Sequence, residues 1–301
     1  MLRMLRCLGH QHWIPRGRDR VIRLFANPDS MPFHPFSVPF FGQTYEGTLS
    51  DFIDWSVYFY GAYSRHELDL LADLCRAIGP DRQPNFIDAG ANSGQHTLFM
   101  ASRCARVDAF EPFPPVVATL KARLAANGIG NCHVHPVGLA DREETATFIA
   151  PTGSNRGTGH FRLAPPEAGT ETDGMHRLTT VRGDGYLEAH AVPPTDILKI
   201  DVEGAEAAVL NGLSQRLHRD RPAILMELSD RARRLFGSEA AFRNALYPDP
   251  VILSVYPLSI SGSYRLSAFD FQQSAELLIL PAEAPGRWCG PMIEKLSFFQ
   301  P

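Results

Sequence analysis

From Asn85 onward the chain alternates short apolar runs with longer stretches whose apolar residues recur at helical spacing. The apolar runs predict strands over residues 86–89, 107–111, 132–136, 196–201 and 223–228. Helices are predicted between and after them, over 96–103, 114–127, 204–217 and 231–246. Short apolar strands with helices between them predict a parallel sheet covered on both faces, an α/β fold. Residues 138–149 and 178–181 read as added β segments, and late strands over 251–256 and 276–280 would complete the sheet. The stretch 151–174 between the added segments is a long loop rich in Gly, Thr and Pro, a length typical of functional or mobile loops. Upstream, residues 64–78 read as a helix, with Ser64 as N-cap, Glu67 as its capping-box partner, and Gly79-Pro80 as the stop. Residues 51–61 are strongly aromatic, and 1–50 show no long periodic stretch. We expect an N-terminal extension over 1–80 and an α/β domain over 81–301.

The first of these strands runs into a small-residue turn. Phe86-Ile87-Asp88-Ala89 is followed by Gly90-Ala91-Asn92-Ser93-Gly94, and the second strand ends Ala109-Phe110-Glu111-Pro112. A tight turn lets backbone approach a ligand, and an acid at the next strand end can take two ribose hydroxyls. A dinucleotide site wants Gly-x-Gly-x-x-Gly, whose second glycine lets a pyrophosphate lie against the backbone. Asn92 stands at that position, and Asp88 would oppose a pyrophosphate. The pattern suits S-adenosylmethionine (SAM), which carries an ammonium, a sulfonium and an adenosine ribose. Asp88 would face its methionine end and Glu111 its ribose.

A second informative run is Asp196-Ile197-Leu198-Lys199-Ile200-Asp201-Val202-Glu203-Gly204-Ala205-Glu206. Asp201 and Glu203 fall at the C-terminal end of a buried strand, where open α/β sheets bind ligands. With Lys199 they could hold a cation, bind substrate hydroxyls or act as a base. We read Asp201 and Glu203 as functional, without a metal, since two acids lacking a histidine partner make a weak metal site. Glu206 reads as a helix-start charge. Glu227 ends the next strand as either a ligand or an ordinary strand-end acid. The run lacks the Asn/Asp-Pro-Pro-aromatic pattern of enzymes that methylate amide or base nitrogen, which favours oxygen chemistry. His135, at a strand end near the ligand edge, is the histidine best placed to serve as a base. His96 and His160 read as structural.

Charge and composition narrow the partners. The chain has 301 residues and a net charge of −4, which argues against a broad nucleic-acid surface. No apolar run approaches the roughly 18 residues of a membrane span. The five cysteines form no Cys-x-x-Cys pair and suit a reducing cytoplasm. Arginines dominate the first 23 residues, as either a poorly ordered terminus or an arm for an anionic membrane or partner. We read a disordered terminus.

Several separated motifs occur together in one order and resemble the FkbM family of SAM-dependent methyltransferases. They are 86–94, 109–112, Leu124-Ala125-Ala126-Asn127-Gly128, Val137-Gly138-Leu139-Ala140-Asp141, 198–206 and Pro222-Ala223-Ile224-Leu225-Met226-Glu227. Ser154-Asn155-Arg156-Gly157 resembles a further family stretch within the long loop. The resemblance covers about residues 52–230. It implies a Rossmann-like class I methyltransferase sheet, with SAM held by Asp88, Gly90, Asn92, Gly94, Glu111, Pro112, Gly138 and Asp201. It implies transfer to a hydroxyl of a sugar, a lipid-linked saccharide or a secondary metabolite. Catalysis is expected from Asp201, Glu203 and His135. A nucleotide-dependent oxidoreductase and a non-catalytic SAM-binding partner are the alternatives.

Overall fold

A computed structural model describes residues 1–11, 17–78, 82–149, 160–162, 175–259 and 262–284. Most of the 151–174 loop, including Ser154 to Gly157, lies outside the described residues, as do the Gly79-Pro80 stop and the His160 side chain.

The chain opens with helices α1 (Leu2–Gly9) and α2 (Arg18–Phe25) and a hairpin of β1 (Pro35–Phe40) and β2 (Gln43–Thr48). Helices α3 (Phe52–Tyr60) and α4 (Arg65–Ile78) follow. Then come β3 (Asn85–Ala89), α5 (Gln95–Ala101), β4 (Arg106–Phe110), α6 (Pro114–Ala126) and β5 (Cys132–His135). A small sheet holds β6 (Gly138–Ala140), β7 (Glu144–Ile149), β8 (His160–Arg162) and β9 (Met175–Arg182). The chain continues through α7 (Gly183–Ala189), β10 (Ile197–Ile200), α8 (Glu206–Gly212), α9 (Ser214–Asp220) and β11 (Ala223–Leu228). It ends with α10 (Asp230–Phe236), α11 (Glu239–Asn244), β12 (Pro250–Ser259), β13 (Gly262–Ala268) and β14 (Ala275–Pro281).

The main sheet has the order β13-β12-β14-β11-β10-β3-β4-β5. Strands β11, β10, β3, β4 and β5 pair in parallel, as their apolar runs predict, and β14 enters antiparallel beside β11. From β3 the chain steps outward to β4 and β5, then crosses back to β10 on the other side of β3. The order therefore reverses between β3 and β10, and the crevice above their C-terminal ends is where such sheets bind ligands.

Strand alternation divides the core. Phe86, Val107, Ala109, Ile197 and Leu225 face α3–α6. Ile87, Phe110, Leu198, Ile200 and Ile224 face α7–α11. Leu5, Ile22, Phe40 and Trp55 of the N-terminal segment belong to the first of these cores.

Several local expectations change. Each of the two long helices expected after β10 and β11 is two short ones, broken at Leu213 and at Gly237-Ser238. Ser238 caps the second of the latter pair, accepting from Ala241 N at 3.1 Å. Ser64 has φ +42°, a left-handed conformation unlike an N-cap, and Glu67 turns instead to His96, 3.1 Å away. The described part of the basic terminus is helical, in α1 and α2, rather than poorly ordered. Gly9 seats α1 on α3, since a Cβ there would stand 2.0 Å from the Phe59 carbonyl oxygen. Arg6 Nε donates to the Tyr58 carbonyl at 3.0 Å.

The hairpin is tied to the sheet by one buried cluster. Arg123, on α6, donates to Asp54 Oδ1 at 2.6 Å, to the Glu46 carbonyl at 2.8 Å and to the Ser93 carbonyl at 2.7 Å. Asp54 also accepts from Tyr45 Oη at 2.8 Å and Thr48 N at 2.9 Å. Because Ser93 belongs to the Gly90–Gly94 turn, this network braces that turn from behind.

Candidate functional site

The turn after β3 is shaped by close approach of the main chain. Gly90 has φ +83°, and a Cβ there would lie 1.8 Å from the Asp201 carbonyl oxygen. Its missing side chain thus lets the turn press onto the end of β10, which joins the two sequence clusters into one crevice. Gly94, at φ +88°, makes room for Leu120 on α6 in the same way. Asn92 also has a left-handed backbone, at φ +50°, and its Oδ1 accepts from Ser93 N at 2.6 Å.

Glu111 sits beside this turn. Its Oε2 accepts from Asn92 N at 3.0 Å and its Oε1 from Phe113 N at 2.8 Å. Burial pushes its carboxyl up to about 7, and the charges of Asp88 and Asp201 add to the rise against the two amide bonds. Pro112 follows it, and a Cβ on Gly138 of β6 would meet Thr180 and Pro112 at ordinary contact distance.

Asp88 is placed differently from the expectation that it faces a ligand. It is fully buried, and its Oδ2 accepts from Thr97 Oγ1 at 2.7 Å. Its Oδ1 has no hydrogen-bond partner and lies 3.7 Å from Lys199 Nζ, the residue directly across on β10. Asp88 stands behind the turn and sets its charge rather than lining it.

Lys199 is the cation of a buried acidic group. It donates to Asp201 Oδ2 at 3.1 Å. Burial alone would push its ammonium down, but Asp201, Asp88, Glu67 and Glu276 outweigh this and hold it above the ordinary lysine range. Glu276 of β14 lies directly opposite Glu227 of β11. Burial pushes Glu276 well above the carboxylate range, assisted by Glu67 and Asp201. Like charges facing one another across strands cost stability, so a protonated Glu276 relieves the pair. An acid inside the otherwise apolar run Ala275 to Leu280 was the available signal for it.

Glu203 follows in the loop after β10 with φ +53°, an uncommon conformation for a non-glycine residue. Burial, then the charges of Asp201, Glu227 and Glu206, push its carboxyl up to about 7 against Arg231. Glu227 rises to about 7 through burial and the charge of Asp201. Glu206 folds back to accept from Gly204 N at 3.0 Å, which closes the start of α8, while its buried Oε2 has no hydrogen-bond partner.

His135 is not brought to this cluster. It ends β5, three strands from β10, or roughly 14 Å at about 4.8 Å per strand. Its Nε2 lies 2.9 Å from Asp108 Oδ1, its Nδ1 lies 3.3 Å from Tyr186 Oη, and its ring stacks on Phe110. Both ring nitrogens are engaged and the side chain is buried, so a base acting beside Asp201 has to be another group. Gln95 and Tyr63 are the additional site-edge residues. They exchange two hydrogen bonds, Tyr63 N to Gln95 Oε1 at 2.6 Å and Gln95 Nε2 to the Tyr63 carbonyl at 3.0 Å. Among the described residues no group of three or more His, Cys, Asp or Glu side chains is arranged to hold a metal ion. Cys7, Cys75, Cys104 and Cys132 are free thiols.

The crevice fits a cationic adenosyl cofactor better than a pyrophosphate. Glu111, Asp201 and Glu203 gather at the C-terminal ends of β4 and β10, two of them with raised carboxyls, and Asp88 adds its charge from behind the turn. A ligand bringing positive charge relieves that repulsion and one bringing phosphates worsens it.

A mostly parallel sheet with this acid-lined switch point defines a Rossmann-like methyltransferase. The chain belongs to the FkbM methyltransferase family: the model of the Methyltransferase FkbM domain matches residues 88–247. Its cofactor is SAM. The chain is 30% identical over 179 residues to the AMB antimetabolite synthetase AmbE of Pseudomonas aeruginosa, covering 48% of this chain and 8% of that protein. It is 31% identical over 136 residues to the hexuronic acid methyltransferase AglP of Haloferax volcanii, covering 43% of this chain and 50% of AglP. The chain thus spans half or less of these two relatives. A crystal structure of methyltransferase FkbM from Methylobacillus flagellatus superposes with a TM-score of 0.43 at 14% identity, covering 66% of this chain and 43% of the other. Among the described residues no helix is long and apolar enough to cross a membrane.

Proposed function

We propose that this chain is an O-methyltransferase that moves the methyl group of SAM to a hydroxyl of a saccharide, a lipid-linked saccharide or a secondary metabolite in a reducing cytoplasm. The observation that carries the reading is the placement of Glu203, held at φ +53° in the loop just after β10 beside Asp201, where burial also raises its carboxyl to about 7. A base works best when its proton affinity lies near the working pH, and an alcohol acceptor has to lose its proton as it attacks. The hexuronic acid specificity in AglP's name supports a saccharide acceptor.

SAM would be held by the Gly90–Gly94 turn, with Glu111 and Pro112 at the ribose and Gly138 on the far wall. Asp88, acting from behind through Lys199, and Asp201 would supply the negative field for its cationic end. The cofactor supplies the electrophilic methyl carbon. Glu203 would take the acceptor's proton as the oxygen attacks. Asp201, tied by Lys199, would orient the acceptor by accepting a hydrogen bond from a neighbouring hydroxyl of the same molecule. Much of the acceleration comes from holding oxygen, carbon and sulfur in line. The division into an extension over 1–80 and a methyltransferase domain over 81–301 is part of this proposal, with the extension packed into the domain's core.

The test is Glu203→Gln and Asp201→Asn assayed with radiolabelled SAM against a hydroxylated acceptor pool. We expect SAM affinity within a few-fold of wild type and turnover lower by about a hundredfold or more in Glu203→Gln, the scale of a lost general base. The rising limb of the pH–rate profile near neutrality should vanish with it. Chelators should leave wild-type turnover unchanged. Full turnover with an unaltered pH profile in both variants would sink the assignment.

A further inference from the structure

We infer that the two N-terminal helices form a docking surface for an anionic lipid bilayer. Among the described residues, six of the eight exposed large apolar side chains fall within residues 1–33: Met1, Met4, Val21, Leu24, Phe25 and Phe33. They are not scattered. Met1 and Met4 stand one turn apart at the start of α1. Val21, Leu24 and Phe25 stand at the i, i+3 and i+4 positions of α2, one stripe on its outer face. The inward faces are already used, since Leu5 and Gly9 on α1 and Ile22 on α2 are buried. Met4 is 76%, Leu24 75% and Phe25 54% exposed. Large exposed apolar groups gathered on one face mark an interaction surface rather than ordinary scatter.

Charge selects the partner. Residues 1–25 contain six arginines and one aspartate, a balance of +5 in a chain of net charge −4, so the remainder carries −9. The aspartate, Asp19, is already paired with Arg23 at 2.9 Å and accepts from Tyr60 Oη at 2.6 Å. Arg3 and Arg20 are exposed beside the apolar stripes, while Arg6 and buried Arg18 hold the helices to the body. Short amphipathic helices with arginine on the flanks and Met, Leu and Phe on the outer face are the composition of interfacial anchors. The positive balance of residues 1–25 against the −9 of the remainder selects this face for an anionic surface.

The surface is also wired to the site. Gly9 packs on the Phe59 carbonyl, the His10 ring lies beside Gly61, and Tyr63 is bonded to Gln95, which directly follows the Gly90–Gly94 turn. The bilayer-facing helices therefore sit on the element that borders the crevice. The inference rests on this surface alone and is independent of which acceptor the enzyme uses.

The test is sedimentation of the full chain with vesicles of phosphatidylcholine, with or without about one-third phosphatidylglycerol. We expect binding to the anionic vesicles only, lost as salt rises from about 0.05 M to about 0.5 M because exposed charges are then screened. Leu24→Glu/Phe25→Glu and Arg3→Glu/Arg20→Glu should each lower partitioning at least tenfold, with SAM affinity and melting temperature held. Leu258→Glu, at an exposed apolar position on β12, should bind like wild type. The proposal is overturned by wild type that ignores anionic vesicles or binds both kinds equally. It is also overturned by variants that bind as well as wild type, or by a wild-type oligomer that the Leu24→Glu/Phe25→Glu change dissociates, since a second copy would then cover the face.

Discussion

Replacing Glu111 with glutamine should change stability in a way that depends on pH and weaken cofactor binding at the same time. In wild type the carboxyl is pushed from its ordinary 4.5 up to about 7, first by burial and then by Asp88 and Asp201. The folded protein holds this proton more tightly than the unfolded chain does. Stability therefore falls as pH rises from about 4.5 to about 7 and is flat above that. The full rise corresponds to about 3 kcal/mol; water reaching the half-buried carboxyl trims it to about 2 kcal/mol. Glutamine has no such dependence. It keeps one acceptor for the Asn92 or Phe113 amide and turns an NH2 group toward the other, at a cost of about 1–2 kcal/mol. Urea denaturation at pH 5 should therefore find Glu111→Gln less stable than wild type. At pH 8 the difference should have moved about 2 kcal/mol in the variant's favour. Calorimetry at pH 8 should show SAM bound about ten- to a hundredfold more weakly, the range for hydrogen bonds to a charged group. Parallel stability curves for the two proteins, together with unchanged SAM affinity, would refute both the proton affinity and the ribose role.

Two further perturbations test the buried charges. Lys199→Met leaves Asp88 and Asp201 without their cation and should cost about 3–5 kcal/mol, which thermal unfolding at pH 8 measures. Asp54→Ala strands the Arg123 guanidinium, which is 3% exposed, and should cost a similar about 3–5 kcal/mol. Because Arg123 also holds the Ser93 carbonyl, the same variant should weaken SAM binding, and unaltered affinity in a folded Asp54→Ala protein would separate the hairpin from the turn.

Read along the chain, the strands, the turn and the acids at strand ends are all local features. Runs such as Phe86 to Ala89 and Ile197 to Ile200 are apolar on both faces, and only a strand covered on both sides buries them. Gly90, Asn92 and Gly94 mark a turn because left-handed backbone is inexpensive for glycine and tolerated by asparagine. These patterns carried the parallel sheet, the family and the position of the crevice. Tertiary structure decided how the pieces meet, since each decisive contact joins residues far apart in sequence. Asp88 faces Lys199 only because β3 and β10 pair across more than a hundred residues, which turns a supposed ligand group into a buried counter-ion. His135 looked close to the site in sequence, yet strand order sets it at the sheet edge beside Asp108. The arginine-rich terminus lacks a long periodic pattern because α1 and α2 are eight residues each. Helices that short draw their stability from packing on α3 rather than from their own propensity, so only the folded molecule shows which of their faces is buried and which is left outward.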